Sequence, residues 1–203
     1  MPSIIRPALV VFGALSLLCG VLYAAAVTGI DRVAFAQEAT GSLIEAGGKT
    51  VGSRLIGQPF SSPGYFRGRP SATSPMPNNA GGSTGSNQGP TNPALLDSVR
   101  ERGAALRQAD PGNRAPIPVD LVTASASGLD PDISLAAARY QVRRVAAARK
   151  LPEQRLRVLI EMHQKEPALG FLGEPRVNVL ALNLALDGKL PRAQWGSRHE
   201  LRP

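Results

Sequence analysis

Four short patterns hold residue types that do chemistry in other settings. Gly81-Gly82-Ser83-Thr84-Gly85 matches G-x-S-x-G, the elbow that presents a serine nucleophile. That elbow needs a strand before the serine and a helix after it, whereas both flanks here are turn residues. A Gly/Ser-rich stretch accounts for the match. Gly48-Lys49-Thr50 has the ending of a phosphate-cradling loop, but the glycine required five residues earlier is Leu43, so a Gly-Gly hairpin turn fits better. The two histidines, His163 and His199, stand far apart, and no His/Cys pair has metal-ligand spacing. His163 falls on the apolar side of a helical pattern and reads as a packed histidine at the core boundary. Val122 to Pro131, VTASASGLDP, places small residues and a glycine before a helix whose N-terminus attracts anions. Two readings stand there: an anion site, or an N-terminus already capped by Asp130.

The elements that must position these residues start with an anchor. Pro7 to Ile30 holds no charged, His, Asn or Gln residue over 24 positions. As a helix, Ala8–Ile30 covers about 34 Å, against a hydrocarbon core of about 30 Å. Ala24-Ala25-Ala26 would serve as a signal-peptide cleavage site, but the apolar run continues through Ile30, which favours an uncleaved anchor. Arg6 before the run and Arg32 after it leave the positive-inside count close to a tie. The signal-like start favours the N-terminus inside and the main domain outside. Cys19, the single cysteine, lies in the run, so no internal disulfide forms.

The reading divides the chain into an N-terminal flank (1–7), a transmembrane helix (8–30), a soluble domain (31–187) and a basic tail (188–203). The domain is expected to be α+β, small, mixed and extracytoplasmic. Short strands flank the Gly47-Gly48 turn, and Val119–Thr123 reads as another strand. Residues 67–93 are rich in Pro, Ser, Gly, Asn and Thr, with Met76 as their only large apolar side chain. They fit a flexible linker or a long ordered loop. Helices are expected from Asn92-Pro93, Asp130-Pro131, Pro152 and Glu174-Pro175, each with apolar residues at helical spacing.

The net charge of +8 concentrates in Arg139–Arg157 and in the tail. A basic run with Tyr140 as its only aromatic lacks the stacking positions of nucleic-acid binders. It reads as a solvated helix face, with a docking face for an acidic partner protein or for lipid headgroups as the alternative, and nucleic acid is not an expected partner.

Several blocks carry a resemblance. They are RPALV (6–10), TGSLI (40–44), IGQPF (56–60), GRPSATSPMPNNAGGSTGSNQGPTNPALL (68–96), the segment 117–131, and LGFLGEPRVNVLALNLAL (169–186). Together they resemble the C subunit of the bacterial Kdp-type potassium-transporting ATPases, the KdpC family. The likeness runs to Leu186. It leads one to expect Asn at Thr40, His at Asp132 and Gly at Lys150.

The resemblance implies a non-catalytic accessory subunit of a high-affinity, ATP-driven potassium uptake complex. Such a subunit acts in assembly and as a catalytic chaperone that raises the ATP affinity of the ATPase subunit. Implied partners are a channel-like potassium-binding subunit, a P-type ATPase subunit and the lipid bilayer. The implied location is the bacterial inner membrane, single-pass. ATP is the implied cofactor, reached directly or through the ATPase subunit. The implied nucleotide-binding residues are Ser125, Ser127, Gly128 and Gln141. Gln141 has a second reading, as an amide that satisfies buried backbone groups. A different class of function also fits the residues: an anchored extracytoplasmic binding module unrelated to potassium.

Overall fold

The computed structural model describes residues 4–167 and 169–190. It divides into two compact units, Met1–Leu43 and Ile44–Pro203. In the first, α1 (Ile5–Leu17) and α2 (Ala24–Ala34) are joined by a π-helical stretch, Leu18–Tyr23, into one helix, Ile5–Ala34. At 30 residues it is long and apolar enough to cross a bilayer. It runs four residues past the expected end, taking in Asp31 and Arg32. A single turn, α3 (Ala36–Ala39), follows.

Strands β1 (Leu43–Ala46) and β2 (Lys49–Ser53) form the expected hairpin. Gly47 and Gly48 both have positive φ at its turn, where a side chain would be strained. Helix α4 (Pro93–Ala109) begins as read, with the Asn92 side chain accepting from the Ala94 amide.

A three-stranded antiparallel sheet forms in order β3-β5-β4, from β3 (Asp132–Ser134), β4 (Gln164–Lys165) and β5 (Arg176–Asn178). Helices α5 (Leu135–Arg149), α6 (Glu153–Met162) and α7 (Val179–Leu186) complete the domain. The core joins Ile133, Val142, Val145, Leu156, Ile160, Val177 and Leu182 to Phe66. A second cluster joins Ile44 to Leu180 and Leu184.

Two expected helix starts therefore fall late. Asp130-Pro131 and Glu174-Pro175 each lead into a three-residue strand, and the helices begin at Leu135 and Val179. Their caps are Ser134, accepting from the Ala137 amide, and Asn178, accepting from the Ala181 amide. Val119–Thr123 is not a strand; Val119–Leu121 forms a 3₁₀ turn. Tail residues 191–203, and His199 with them, lie outside the described residues.

Candidate functional site

Residues 63–93 form a long loop that enters the core only at Phe66, and three side chains of α5 grip its start. Gln141 is 2 % exposed. Its Oε1 accepts from the Arg67 amide at 2.8 Å, and its Nε2 donates to the Arg67 carbonyl at 3.0 Å and to Ala137 O at 3.3 Å. One turn on, Arg144 donates to Pro63 O at 2.6 Å, Tyr65 O at 3.1 Å and Gln141 Oε1 at 2.7 Å. Arg149 donates to Gly64 O at 2.7 Å. From α7, Asn183 repeats the Gln141 arrangement on Phe66. Its Oδ1 accepts from the Phe66 amide and its Nδ2 donates to the Phe66 carbonyl, both at 2.9 Å. Two buried amides thus bind two consecutive backbone units as a neighbouring strand would.

The rest of the loop closes on residues 124–130. Arg69 reaches Asp130 and Ala124 O, both at 3.3 Å. Ser71 Oγ donates to Gly128 O at 2.7 Å, and Asn78 Nδ2 to the same oxygen at 3.2 Å. On the returning leg, the Thr84 amide and Ser83 Oγ both donate to Ser127 O at 3.0 Å. This stretch is an ordered loop, not a linker. The serine of the G-x-S-x-G match follows a 3₁₀ turn, Ala80–Gly82, so no strand–helix elbow exists there.

The structure brings Ser125, Ser127 and Gly128 together in one turn, in which the Gly128 amide donates to Ser125 O. Ser125 is buried and Ser127 exposed, its Oγ accepting from the Leu129 amide. Among the described residues Gln141 makes no hydrogen bond to that turn and is linked to it through the loop, by way of Arg67, Arg69 and Ser71. The expected helix N-terminus does not follow Pro131. Asp130 accepts from the Asp132 amide and pairs with Arg69, so it is no helix cap. The true N-terminus at Ser134 is met by Asp120, which accepts from the Ser134 amide at 2.8 Å. A carboxylate there opposes a second anion.

An open cleft of about 540 Å³ lies beside this region, lined among others by Arg69, Asp120, Asp130, Asp132, Glu174 and Arg176. None of Ser125, Ser127, Gly128 and Gln141 lines it. No metal-holding group of His, Cys, Asp and Glu exists among the described residues. His163 caps the C-terminus of α6, with Nδ1 at 2.8 Å from Leu159 O.

The basic run is not uniformly solvated. Burial and the charge of Arg67, partly opposed by Asp110, lower the Arg144 pKa to about 10. Tyr65 donates to Asp187 at 2.9 Å, Arg149 pairs with Asp187 at 2.7 Å, and the Arg149 guanidinium lies 4.5 Å from the Tyr65 ring centre. Burial works to raise the Asp187 carboxyl, but the Arg149 and Tyr65 hydrogen bonds outweigh it and hold it below the usual range.

Residues 5–188 match the family described as KdpC: K+-transporting ATPase, c chain. The chain belongs to the KdpC family. It is 64 % identical over 187 residues to the potassium-transporting ATPase KdpC subunit of Herminiimonas arsenicoxydans, covering 92 % of this chain and 98 % of that one. It is 62 % identical to the KdpC subunit of Variovorax paradoxus (strain S110), with 92 % and 97 % covered. To that of Janthinobacterium sp. (strain Marseille) it is 60 % identical, with 92 % and 99 % covered. The long apolar helix Ile5–Ala34, one such helix among the described residues, is consistent with a single-pass membrane protein in a transport complex.

Two departures from the expected KdpC pattern have visible settings. Lys150 caps α5 with φ +55, a conformation that suits the expected glycine. Asp132, in place of the expected histidine, reaches Arg176 at 2.9 Å, Asn178 at 3.0 Å and Lys165 at 3.5 Å. The roles of Asn183, Arg144 and Tyr65–Asp187 escaped sequence reading. An asparagine inside the otherwise apolar VLALNLAL was the one signal that pointed to any of them.

Proposed function

We propose that this KdpC chain is a non-catalytic accessory subunit of a high-affinity, ATP-driven potassium uptake complex. It acts in assembly beside a channel-like subunit and a P-type ATPase subunit, and it raises the ATP affinity of the latter. The domain lies outside the membrane, with the N-terminus inside. The effect on ATP is therefore allosteric, transmitted through partner subunits. The observation that carries the indirect route is the engagement of Gln141: its carbonyl and amide groups hold Arg67, Ala137 and Arg144. To present that amide to adenine, the protein would have to release residues 63–67. In this reading Ser127 and Gly128 seat the loop instead of holding phosphate, and Ser125 braces their turn by accepting from the Gly128 amide.

Two measurements test the proposal. The purified pump with and without this chain should differ in its KM for ATP, the value rising when the chain is absent. An unchanged KM removes the affinity role. Ser86, exposed on the loop, is changed to Cys in a Cys19→Ser background and treated with a membrane-impermeant thiol reagent in spheroplasts. Labelling is expected. Labelling confined to inside-out vesicles overturns the indirect route and restores direct contact with ATP.

A further inference from the structure

Strands β4 and β5 are joined by a connection with an uncharged tip, Pro167 to Gly173 in sequence. Leu169, Phe171 and Leu172 are 81 %, 74 % and 53 % exposed. Met162, at the end of α6, is exposed as well. Three large apolar side chains exposed within four consecutive residues mark a surface that meets something. The tip stands on a fixed base. Lys165 pairs in register with Arg176, and Asp132 on β3 bonds to both. A fixed base lowers the ordering cost of binding.

The tip runs directly into the 540 Å³ cleft, because Glu174, Pro175 and Arg176 line it. The cleft presents four carboxylates, of Asp120, Asp130, Asp132 and Glu174, against two guanidinium groups, of Arg69 and Arg176. Asp130 and Asp132 are paired with Arg69, Arg176 and Lys165. Asp120 is held by the neutral donors of Ser134. This is an acidic recess in a chain of net charge +8. Val119, 69 % exposed, adds apolar surface to it.

We propose that the tip 169–172 and the adjoining cleft form one docking surface for a partner protein. The partner presents an apolar socket that takes Phe171 and Leu172, beside a Lys or Arg side chain that enters the cleft near Asp120 and Glu174. At the base of the tip Lys165 and Arg176 are both paired with Asp132, whereas Glu166, Glu174 and the cleft's Asp120 carry no salt bridge to a cation among the described residues, so the surface suits a cationic side chain of a protein better than an anionic lipid surface. The tip lies within the block 169–186 that marks this family and within the matched residues 5–188. The occupant is therefore a larger membrane subunit of the same pump, an assignment that rests on the function proposed above.

The test uses the whole complex. A photo-reactive benzoylphenylalanine replacing Phe171 is expected to crosslink to one larger subunit; a crosslink only to lipid overturns the proposal. Leu169→Ser with Phe171→Ser, and separately Glu174→Lys, should each lower the co-purified large subunits roughly tenfold or more. All three side chains are exposed, so the thermal melt of the variant chain should match that of the parent. Equal co-purification by parent and variants overturns this surface and leaves pump membership intact. A parent chain that brings down no large subunit overturns both.

Discussion

Gln141 and Arg67 exchange two hydrogen bonds, amide group to peptide group, at 2.8 and 3.0 Å. The pair lies 74 residues apart in sequence and fixes where the long loop leaves the core. Asn183 does the same to Phe66 from α7. Helices α5 and α7 therefore hold one extended segment between them, each with a buried side-chain amide paired to one peptide unit.

Arg144 ties two carbonyls of that segment to the Gln141 amide through one guanidinium. It serves Pro63 O, Tyr65 O and Gln141 Oε1 at once, and the planar fork of arginine suits three acceptors better than a lysine ammonium does. Arg144→Lys should therefore destabilise the domain nearly as much as Arg144→Ala, by about 2–4 kcal/mol. Urea unfolding of both variants checks this. A lysine variant within about 0.5 kcal/mol of the parent would mean that charge alone, not the fork, matters.

Most helices were legible in the sequence because their apolar spacing and caps are local. Asn92-Pro93 and Pro152 mark their starts correctly. Strands β3 and β5 were hidden for a physical reason. Three residues are too few for alternation to show, and each follows a proline that also suits a helix start. The state of the long loop was open because its order comes from distant partners. Ser71 and Asn78 settle on Gly128 O, 57 and 50 residues away, and no local pattern encodes that. The nucleotide role of Ser125, Ser127, Gly128 and Gln141 came from resemblance, beside an anion-site reading of 122–131 taken from its small residues; the attachment of Ser127, Gly128 and Gln141 to the loop was visible only in three dimensions.

Lys150 occupies the αL cap of α5 with φ +55, where the family pattern leads one to expect glycine. A non-glycine residue there carries roughly 1 kcal/mol of backbone strain, partly offset by the greater unfolded-state freedom of glycine. Lys150→Gly should be neutral to stabilising by a few tenths up to about 1 kcal/mol. Most substitutions to glycine go the other way. A thermal melt decides it: a clear fall in Tm contradicts the strain argument.

The Tyr65–Asp187–Arg149 cluster predicts a pH dependence with a definite sign. The Asp187 carboxyl is depressed in the folded protein, so its stabilisation is complete above the unfolded carboxylate value of about 3.9. It is lost as pH falls through the depressed value. Arg149 is raised, chiefly because the Asp187 hydrogen bond overcomes the opposing effect of burial, so it stays charged over this range. The stability difference between parent and Asp187→Asn should be flat from about pH 5 to 8 and shrink below about pH 4. Urea midpoints across pH measure it. A difference that persists undiminished at about pH 2 would show that the contact does not depend on the carboxylate charge.

Gly128 separates a seat for the loop from a seat for phosphate. Its φ is +68, and an added Cβ would come 2.6 Å from Thr73 Cγ2 and 2.7 Å from Thr84 O, with Ser71 Oγ at 3.3 Å. Those atoms belong to both legs of the loop. Thr84 O is backbone and cannot rotate away, so Gly128→Ala must push the loop off residues 125–128. The expected result is faster proteolytic cleavage within residues 67–93, with the helices of the domain kept. Under the indirect route, the KM for ATP of the assembled pump should shift only as far as assembly itself is weakened. A raised KM with assembly and loop protection both unchanged would instead mark Gly128 as a nucleotide contact.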